Sequence, residues 1–105
     1  MSLTRELFLG CIKVHILYHA GQEPIYGLRL MEELLRRGYT LSAGSLYPML
    51  HSLEAQGLLV SQKSVIAGKA RRCYSLTRAG RRALRQAQSQ AVELLNEIRD
   101  DPVPA

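Results

Sequence analysis

The chain has 105 residues, a mass of 11.8 kDa and a formal net charge of +5, and 47% of its residues are hydrophobic. This length suits one domain with a modest core, and no apolar run approaches the roughly 20 residues that a membrane span needs. The N-terminus, MSLTRELFLG, has no basic region followed by an unbroken apolar stretch, so a secretory signal is not indicated. We therefore expect a cytoplasmic protein without membrane association, whose two cysteines, Cys11 and Cys73, are reduced.

The positive charge is concentrated in one part of the chain. Residues 1–57 hold five cations and five acids, residues 58–85 hold eight cations and no acid, and residues 86–105 carry a net charge of −3. A cationic block of this kind suits a polyanion such as nucleic acid, and the alternative is a solvated surface that keeps the protein soluble. We favour nucleic acid because eight cations without one acid form an unusual run.

Apolar periodicity predicts three helices in the first half of the chain. They span about residues 3–20, 26–37 and 42–56, and the first is apolar nearly all round. A glycine follows each predicted helix and is expected to end it in the left-handed conformation. These glycines are Gly21, Gly38 and Gly57.

The second and third predicted helices each carry an apolar face. The face of the second helix consists of Leu28, Met31 and Leu35, with Leu30 and Leu34 beside it. In the third helix the residues spaced for burial are Leu46, Leu50 and Leu53.

Pro48 constrains where the third helix begins. A proline deep inside a helix removes a backbone hydrogen bond and costs about 3 kcal/mol. If Ser45 is the N-cap, Pro48 lies in the first turn, where its missing N–H has little effect; if Ser42 is the N-cap, Pro48 lies deeper. The sequence is compatible with either cap.

Residues 58–64 and 71–76, separated by a stretch around residues 67–69, predict a β-hairpin. Alternation along its second strand divides the side chains between two faces, one covered and one wetter. Arg72, Tyr74 and Leu76 share one face, and Arg71, Cys73 and Ser75 share the other.

Thr77 is the predicted N-cap of a final helix that runs to about Arg99, followed by a frayed tail. Apolar residues recur in this helix at alternating spacings of three and four, as in a coiled-coil seam. They are Leu84, Ala87, Ala91, Leu94 and Ile98. We expect this seam to pack against a second copy of the chain, and the alternative is packing against its own domain. Gly80 costs up to about 1 kcal/mol relative to Ala, which indicates a close backbone approach.

Three helices, a hairpin and a projecting helix predict a mostly helical α+β fold, a winged helix-turn-helix with a C-terminal dimerisation helix. The expected organisation is a DNA-binding domain over residues 1–77, a dimerisation helix over 78–100 and a tail over 101–105. Three segments then carry a resemblance to the PadR family of regulators across about residues 8–85. They are Ile25-Tyr26-Gly27, Gly44-Ser45-Leu46-Tyr47-Pro48, and Tyr74-Ser75-Leu76-Thr77-Arg78-Ala79-Gly80.

The resemblance implies a homodimer that binds double-stranded DNA, represses transcription and releases DNA when a small-molecule effector binds. It places the third helix in the major groove and the hairpin, or wing, beside the DNA backbone or minor groove. The residues that would contact DNA from that helix are Ser42, Gly44, Ser45, Tyr47 and Pro48, together with the polar side chain of His51. Those of the wing are Lys69, Arg71 and Arg72. Two-fold symmetry predicts a palindromic operator with half-sites about 10 bp, or a multiple, apart.

Two features depart from the family pattern. Leu28 occupies a position where the family often has a second aromatic residue, and residues 43–56 contain no Lys or Arg. Arginine reading of guanine is therefore not available from the third helix. We expect affinity to come mainly from phosphate contacts of the wing, and sequence reading to be modest and partly through groove shape.

Several residues have competing interpretations. Tyr47 could contact phosphate or pack under its helix, and Tyr26 fits the core better than a ligand site. Cys73 could be a redox switch, but packing in a strand is the favoured role. Cys11, His15 and His19 share one helix face, yet Cys11 and His19 are about 12 Å apart along the axis. We therefore favour packed or exposed histidines over a metal site, and we expect neither a metal nor a cofactor.

The sequence contains no arrangement of catalytic residues, so an enzyme is not expected. The alternative to a DNA-binding regulator is a winged-helix module that binds another protein. An effector pocket is predicted at the dimer interface between the first and last helices, and its predicted lining is Leu7, Cys11, Ala91 and Leu95.

Overall fold

The computed structural model describes residues 2–100 and 103–104. Within them the elements are α1 (Leu3–Gln22), β1 (Ile25–Tyr26), α2 (Gly27–Arg36), α3 (Ala43–Ala55), β2 (Leu59–Ile66), β3 (Lys69–Leu76) and α4 (Arg78–Ile98). The mostly helical α+β winged helix-turn-helix predicted from the sequence is confirmed. Residues 101, 102 and 105 of the predicted tail lie outside the described residues. No helix in the described part of the chain is long and apolar enough to cross a membrane.

The three strands form one antiparallel sheet in the order β1-β3-β2. β2 and β3 are the predicted hairpin, and they pair from Leu59 opposite Leu76 to Ile66 opposite Lys69. β1 was not predicted from the sequence, because a strand of two residues is too short to show a periodic pattern. Its Tyr26 lies opposite Cys73. Cys73 and Tyr74 are both buried, so the prediction of one covered and one wetter face is wrong at this level of β3.

The β2–β3 connection is a two-residue turn formed by Ala67 and Gly68. Both residues have positive φ, 50° and 80° respectively. Two successive left-handed residues are typical of the type I′ turn, whose twist matches that of the flanking strands. The alanine occupies a conformation that favours Gly or Asn.

The hydrophobic core lies between α1, α2, α3 and one face of the sheet. The stripe predicted for α3 is confirmed, because Leu46, Leu50 and Leu53 are all buried. The face predicted for α2 needs correction. Leu30 and Leu34 are completely buried and Met31 packs against the core, whereas Leu28 and Leu35 are exposed. The core-facing side is therefore centred on Leu30 and Leu34.

The end of α1 also differs from the prediction. Gly21 was expected to end α1 as a left-handed cap, but it lies inside the helix, which continues to Gln22. A Cβ atom at Gly21 would lie 2.9 Å from Cδ2 of Leu76. The glycine therefore lets α1 approach β3 closely. Gly38 and Gly57 do have positive φ, 87° and 78°, and they follow α2 and α3 as predicted.

α4 begins at a junction that joins it to the end of α3. Thr77 is the N-cap, as predicted: its Oγ1 accepts a hydrogen bond from the N–H of Gly80 at 3.0 Å and donates one to the carbonyl of Gly57 at 2.5 Å. The N–H of Thr77 donates to the carbonyl of Leu58 at 3.1 Å. A Cβ atom at Gly80 would overlap this carbonyl oxygen, so the predicted close backbone approach exists and its partner is Leu58.

Candidate nucleic-acid interface

The exposed side of α3 is one continuous stripe. Gly44, Pro48, His51 and Ala55 recur at spacings of three and four and are all exposed, and Tyr47 lies beside them with 43% of its surface exposed. The buried leucines occupy the opposite side of the helix. Among the described residues of this stripe there is no Lys, Arg, Asp or Glu, so it presents small, aromatic and hydrogen-bonding groups.

The N-terminus of α3 resolves the choice between the two serines. Ser42 is the N-cap, and its Oγ accepts a hydrogen bond from the N–H of Ser45 at 3.2 Å. Ser42 also donates to Oγ of Ser45 at 3.3 Å. Pro48 therefore lies inside the helix, and the carbonyl of Gly44 lacks the N–H that residue 48 would otherwise supply.

The position of Tyr47 depends on Gly27, the first residue of α2. A Cβ atom at Gly27 would lie 2.7 Å from the hydroxyl oxygen of Tyr47 and 2.9 Å from its Cζ. The ring therefore lies against the start of α2 while part of it remains exposed. Part of the ring therefore packs within the chain and part is accessible, and the phosphate contact of Tyr47 stays a prediction.

The predicted wing cations lie on opposite faces of the hairpin. The guanidinium of Arg71 lies 4.9 Å from the centre of the Tyr26 ring, and its Nε is buried without a hydrogen-bond partner in the described structure. Arg72 is on the other face, directly opposite Lys63 of β2. Lys69 is exposed beside the turn. Of the cations in β2 and β3, both of which the structure describes in full, only Lys63 and Arg72 therefore face the same side of the sheet as Tyr74.

A chain of hydrogen bonds joins Arg72 to α3. Nη1 of Arg72 donates to Oγ of Ser61 at 3.0 Å, and this hydroxyl donates to Oε2 of Glu54 at 2.7 Å. The N–H of Ser61 donates to the same carboxylate oxygen at 3.0 Å. Glu54 belongs to α3, Ser61 to β2 and Arg72 to β3. These three residues, which we call the Glu54 relay, connect α3 with both strands of the wing.

A cleft of about 410 Å³ lies between α3 and the wing. Its lining residues are His51, Glu54, Ala55, Arg72 and Tyr74. Burial raises the pKa of Tyr74, and the Glu54 carboxylate raises it further, so its hydroxyl stays protonated at neutral pH. The cleft brings His51 of the α3 stripe next to Arg72 of the wing. These two predicted DNA contacts therefore lie in one continuous surface.

Lys63, Ser61 and Glu54 were not among the site residues predicted from the sequence. Lys63 could have been identified from the hairpin register, since it pairs with Arg72. Neither the connection through Ser61 nor the position of Glu54 over β2 leaves a signal in the sequence, because both depend on how α3 packs on the sheet.

The stripe of Cys11, His15 and His19 on α1 faces the segment after α2. The ring centres of His15 and Tyr39 are 5.0 Å apart, and those of His15 and His19 are 6.3 Å apart. Burial, followed by the charge of Arg37, lowers the pKa of both histidines. Among the described residues, no group of three or more His, Cys, Asp or Glu side chains is arranged to hold a metal ion. The histidines are packing residues here.

The residues of the predicted dimer seam differ in burial along α4. Leu84 packs against the core of its own chain and Ala87 is half-buried. Ala91 is exposed, as are Leu94 and Ile98, with exposed fractions of 47% and 55%. Leu84 therefore follows the alternative prediction, in which α4 packs against its own domain.

The four residues of the predicted effector pocket lie on α1 and α4. Leu7 and Leu95 have exposed fractions of 62% and 50%, Ala91 is exposed and Cys11 is half-buried.

Comparison with known proteins identifies the family of the chain. The family described as "Transcriptional regulator PadR-like family" matches residues 16–86. The chain is 47% identical over 94 residues to "Transcriptional regulator Rv3488" of Mycobacterium tuberculosis, which covers 90% of this chain and 88% of that protein.

Two solved structures have the same fold. A PadR family transcriptional regulator from Eggerthella lenta is 33% identical, with a TM-score of 0.79 over 91% of this chain and 85% of that one. A Streptococcus transcriptional regulator has a TM-score of 0.83 at 24% identity, over 89% of this chain and 93% of that one. The chain belongs to the PadR-like family of transcriptional regulators, whose members are regulators and not enzymes.

Proposed function

We propose that the protein binds a palindromic operator as a homodimer in the cytoplasm and represses transcription. The observation that carries the DNA contact is that the uncharged α3 stripe and the wing cation Arg72 meet at one cleft, with Lys63 directly opposite Arg72. The stripe supplies a surface that fits against base edges in a groove, and the cations pair with phosphates.

The cross-strand pair of Lys63 and Arg72 supports a polyanionic partner. Like charges directly opposite each other on one face of an antiparallel pair destabilise the sheet. The only hydrogen bond that Arg72 makes in the described structure is to Ser61, which is uncharged. DNA phosphates would neutralise both cations, and each such contact adds about −0.9 to the slope of log K against log salt concentration.

Ser42, Gly44, Ser45, Tyr47, Pro48 and His51 are the proposed contacts from α3, and Lys69, Arg71 and Arg72 those from the wing, to which we add Lys63. Gly44 and Pro48 provide a backbone surface free of long side chains, which suits close approach to DNA. Because α3 contains no Lys or Arg, sequence reading is proposed to rest on its hydrogen-bonding groups and on groove shape.

The exposed apolar side of α4 supports the homodimer. Val92, Leu94, Leu95 and Ile98 each leave about half of their surface exposed. Leu3 and Leu7 at the start of α1 are also exposed, at 80% and 62%. Apolar patches of this kind mark protein interfaces. A pocket for an apolar effector between α1 of one copy and α4 of its partner, near Leu7, Cys11, Ala91 and Leu95, is a further part of the proposal.

The test begins with selection from a random duplex library, followed by anisotropy titration of the selected duplex and a scrambled duplex at two salt concentrations. We expect a palindromic winner preferred by about 10³-fold or more. Lys63→Gln should weaken binding to both duplexes and reduce the salt slope by about 1, whereas Arg99→Gln at the end of α4 should do neither. Failure to bind any duplex would overturn the proposal and favour the protein-binding module.

The dimer has its own test, sedimentation equilibrium. Leu94→Asp should produce a monomer that binds the palindrome weakly, because a monomer contacts one half-site only. The control is Val103→Asp, which introduces the same charge at an exposed apolar residue outside α4. A wild-type protein that sediments as a monomer at micromolar concentration would refute the dimer.

A further inference from the structure

The Glu54 relay places an acidic residue in the middle of a surface that is proposed to bind DNA. Glu54 carries the only acidic side chain between Glu33 and Glu93 in the sequence. A carboxylate at this position repels phosphate, so direct DNA contact does not account for it. Its Oε2 atom accepts two hydrogen bonds from Ser61, one from the hydroxyl at 2.7 Å and one from the backbone N–H at 3.0 Å.

The hydroxyl of Ser61 is both a hydrogen-bond donor and a hydrogen-bond acceptor. It donates to the carboxylate of Glu54 and accepts from the guanidinium of Arg72, so each bond polarises the other. A hydroxyl that donates to a carboxylate is a better acceptor for a cationic donor. The geometry therefore fixes one N–H group of Arg72, while its remaining donors stay accessible at the cleft beside His51.

We propose that Glu54 is a positioning residue, which sets the orientation of the wing and of Arg72 relative to α3 through Ser61. Resting on the proposed DNA-binding function, this inference assigns to Glu54 a role in binding without DNA contact. Loss of the relay frees the long side chain of Arg72, which must then lose its rotamer freedom when DNA binds. Before DNA binds, the relay thus holds the wing at the distance from α3 that the spacing between the major groove and the DNA backbone requires.

The structural half of the proposal is tested without DNA. The measurement is NMR relaxation of the Arg72 Nε–H group in wild-type protein and in four variants. Ser61→Ala and Glu54→Ala should make this group markedly more mobile, while Glu54→Gln, which keeps an acceptor oxygen, should restore most of the order. The control is Ser64→Ala on the same strand but the opposite face, because Ser64 makes no side-chain hydrogen bond among the described residues. Unchanged Arg72 order in Ser61→Ala would overturn the relay.

The functional half is tested with the selected duplex. Ser61→Ala should weaken binding by about 5- to 10-fold, within the range of coupling between residues in one network. The same substitution should have no further effect in an Arg72→Ala background, because it removes the hydroxyl that holds Arg72 and keeps the bond from the Ser61 N–H to Glu54, which holds the wing on α3. If Ser61→Ala weakens DNA binding by the same factor in wild-type protein and in the Arg72→Ala variant, the action of the relay through Arg72 is refuted. If wild-type protein binds no duplex, the proposed function fails, and the NMR result alone then decides whether the relay orders Arg72.

Discussion

Replacing Gly80 with Ala tests how α4 is attached to the domain. The N-terminal turn of α4 lies so close to Leu58 that a Cβ atom at residue 80 would overlap the Leu58 carbonyl oxygen and lie 2.5 Å from Cδ1 of Leu76. The Leu76 side chain can rotate. The carbonyl cannot move freely, because it accepts the N–H of Thr77 at 3.1 Å, within the junction that caps α4.

The expected loss of stability follows from two opposing effects. Ala is favoured over Gly in a helix by about 1 kcal/mol, whereas overpacking costs about 1–3 kcal/mol and a lost N-cap about 1 kcal/mol. Since a backbone atom must shift, we place the packing cost at the upper end and expect a net loss of about 3 kcal/mol. For a domain of this size that corresponds to a fall in Tm of about 12 °C or more.

The assay is urea unfolding followed by circular dichroism, with all variants at one protein concentration because dimerisation couples to stability. Gly10→Ala is the matched control: Gly10 is also a helical glycine, but no atom lies within 4 Å of its added Cβ. This control should gain about 0.5–1 kcal/mol. A Gly80→Ala protein as stable as Gly10→Ala would refute the close approach of α4 to Leu58.

Three further predictions concern other positions. Gly27→Ala should displace the Tyr47 ring, because the added Cβ lies 2.7 Å from its hydroxyl oxygen; DNA titration should show a loss similar to that of Tyr47→Ala, with a thermal midpoint close to wild type. Ala67→Asn should raise the free energy of unfolding by about 1 kcal/mol, because Asn tolerates the φ of 50° in the turn better than Ala does, and no gain in urea unfolding would contradict the type I′ assignment. Burial lowers the pKa of His19 below its ordinary value of 6.5, so the folded chain binds fewer protons there than the unfolded chain. The free energy of unfolding should therefore fall as the pH decreases through 6.5 towards the folded pKa, and His19→Gln should flatten this dependence in urea titrations at several pH values.

The helices and the hairpin were predictable because their signals are local. Periodic leucines and the glycines after α2 and α3 depend only on neighbouring residues, and Gly38 and Gly57 do adopt positive φ. Gly21 also follows a predicted helix in the sequence, as Gly38 and Gly57 do, yet it lies inside α1, where its lack of a side chain leaves room for Leu76. A glycine that ends a helix and a glycine that permits close packing cannot be distinguished without the neighbouring element.

The candidate interface was predictable in its parts and not in its arrangement. Alternation correctly separated Arg71 from Arg72, but the sequence did not indicate that Arg71 lies over Tyr26. That contact depends on β1, which is too short to detect. The importance of Lys63 required the register of the hairpin, and the role of Glu54 required the packing of α3 on β2.

Several residues that weaken the fold locally lie on the candidate interface. Gly44 and Pro48 are poor helix formers in α3, and Lys63 opposite Arg72 places two like charges side by side. Nothing inside the chain requires a glycine at residue 44, because an added Cβ would meet only Oγ of Ser42 at 3.8 Å, an ordinary contact. Gly80, in contrast, has an internal partner that excludes a side chain, the backbone carbonyl of Leu58. Local choices that conflict with folding and have no internal reason are typical of functional surfaces, and Gly44 lies on the exposed stripe of α3, which supports its proposed contact with DNA; Gly80 belongs to the scaffold.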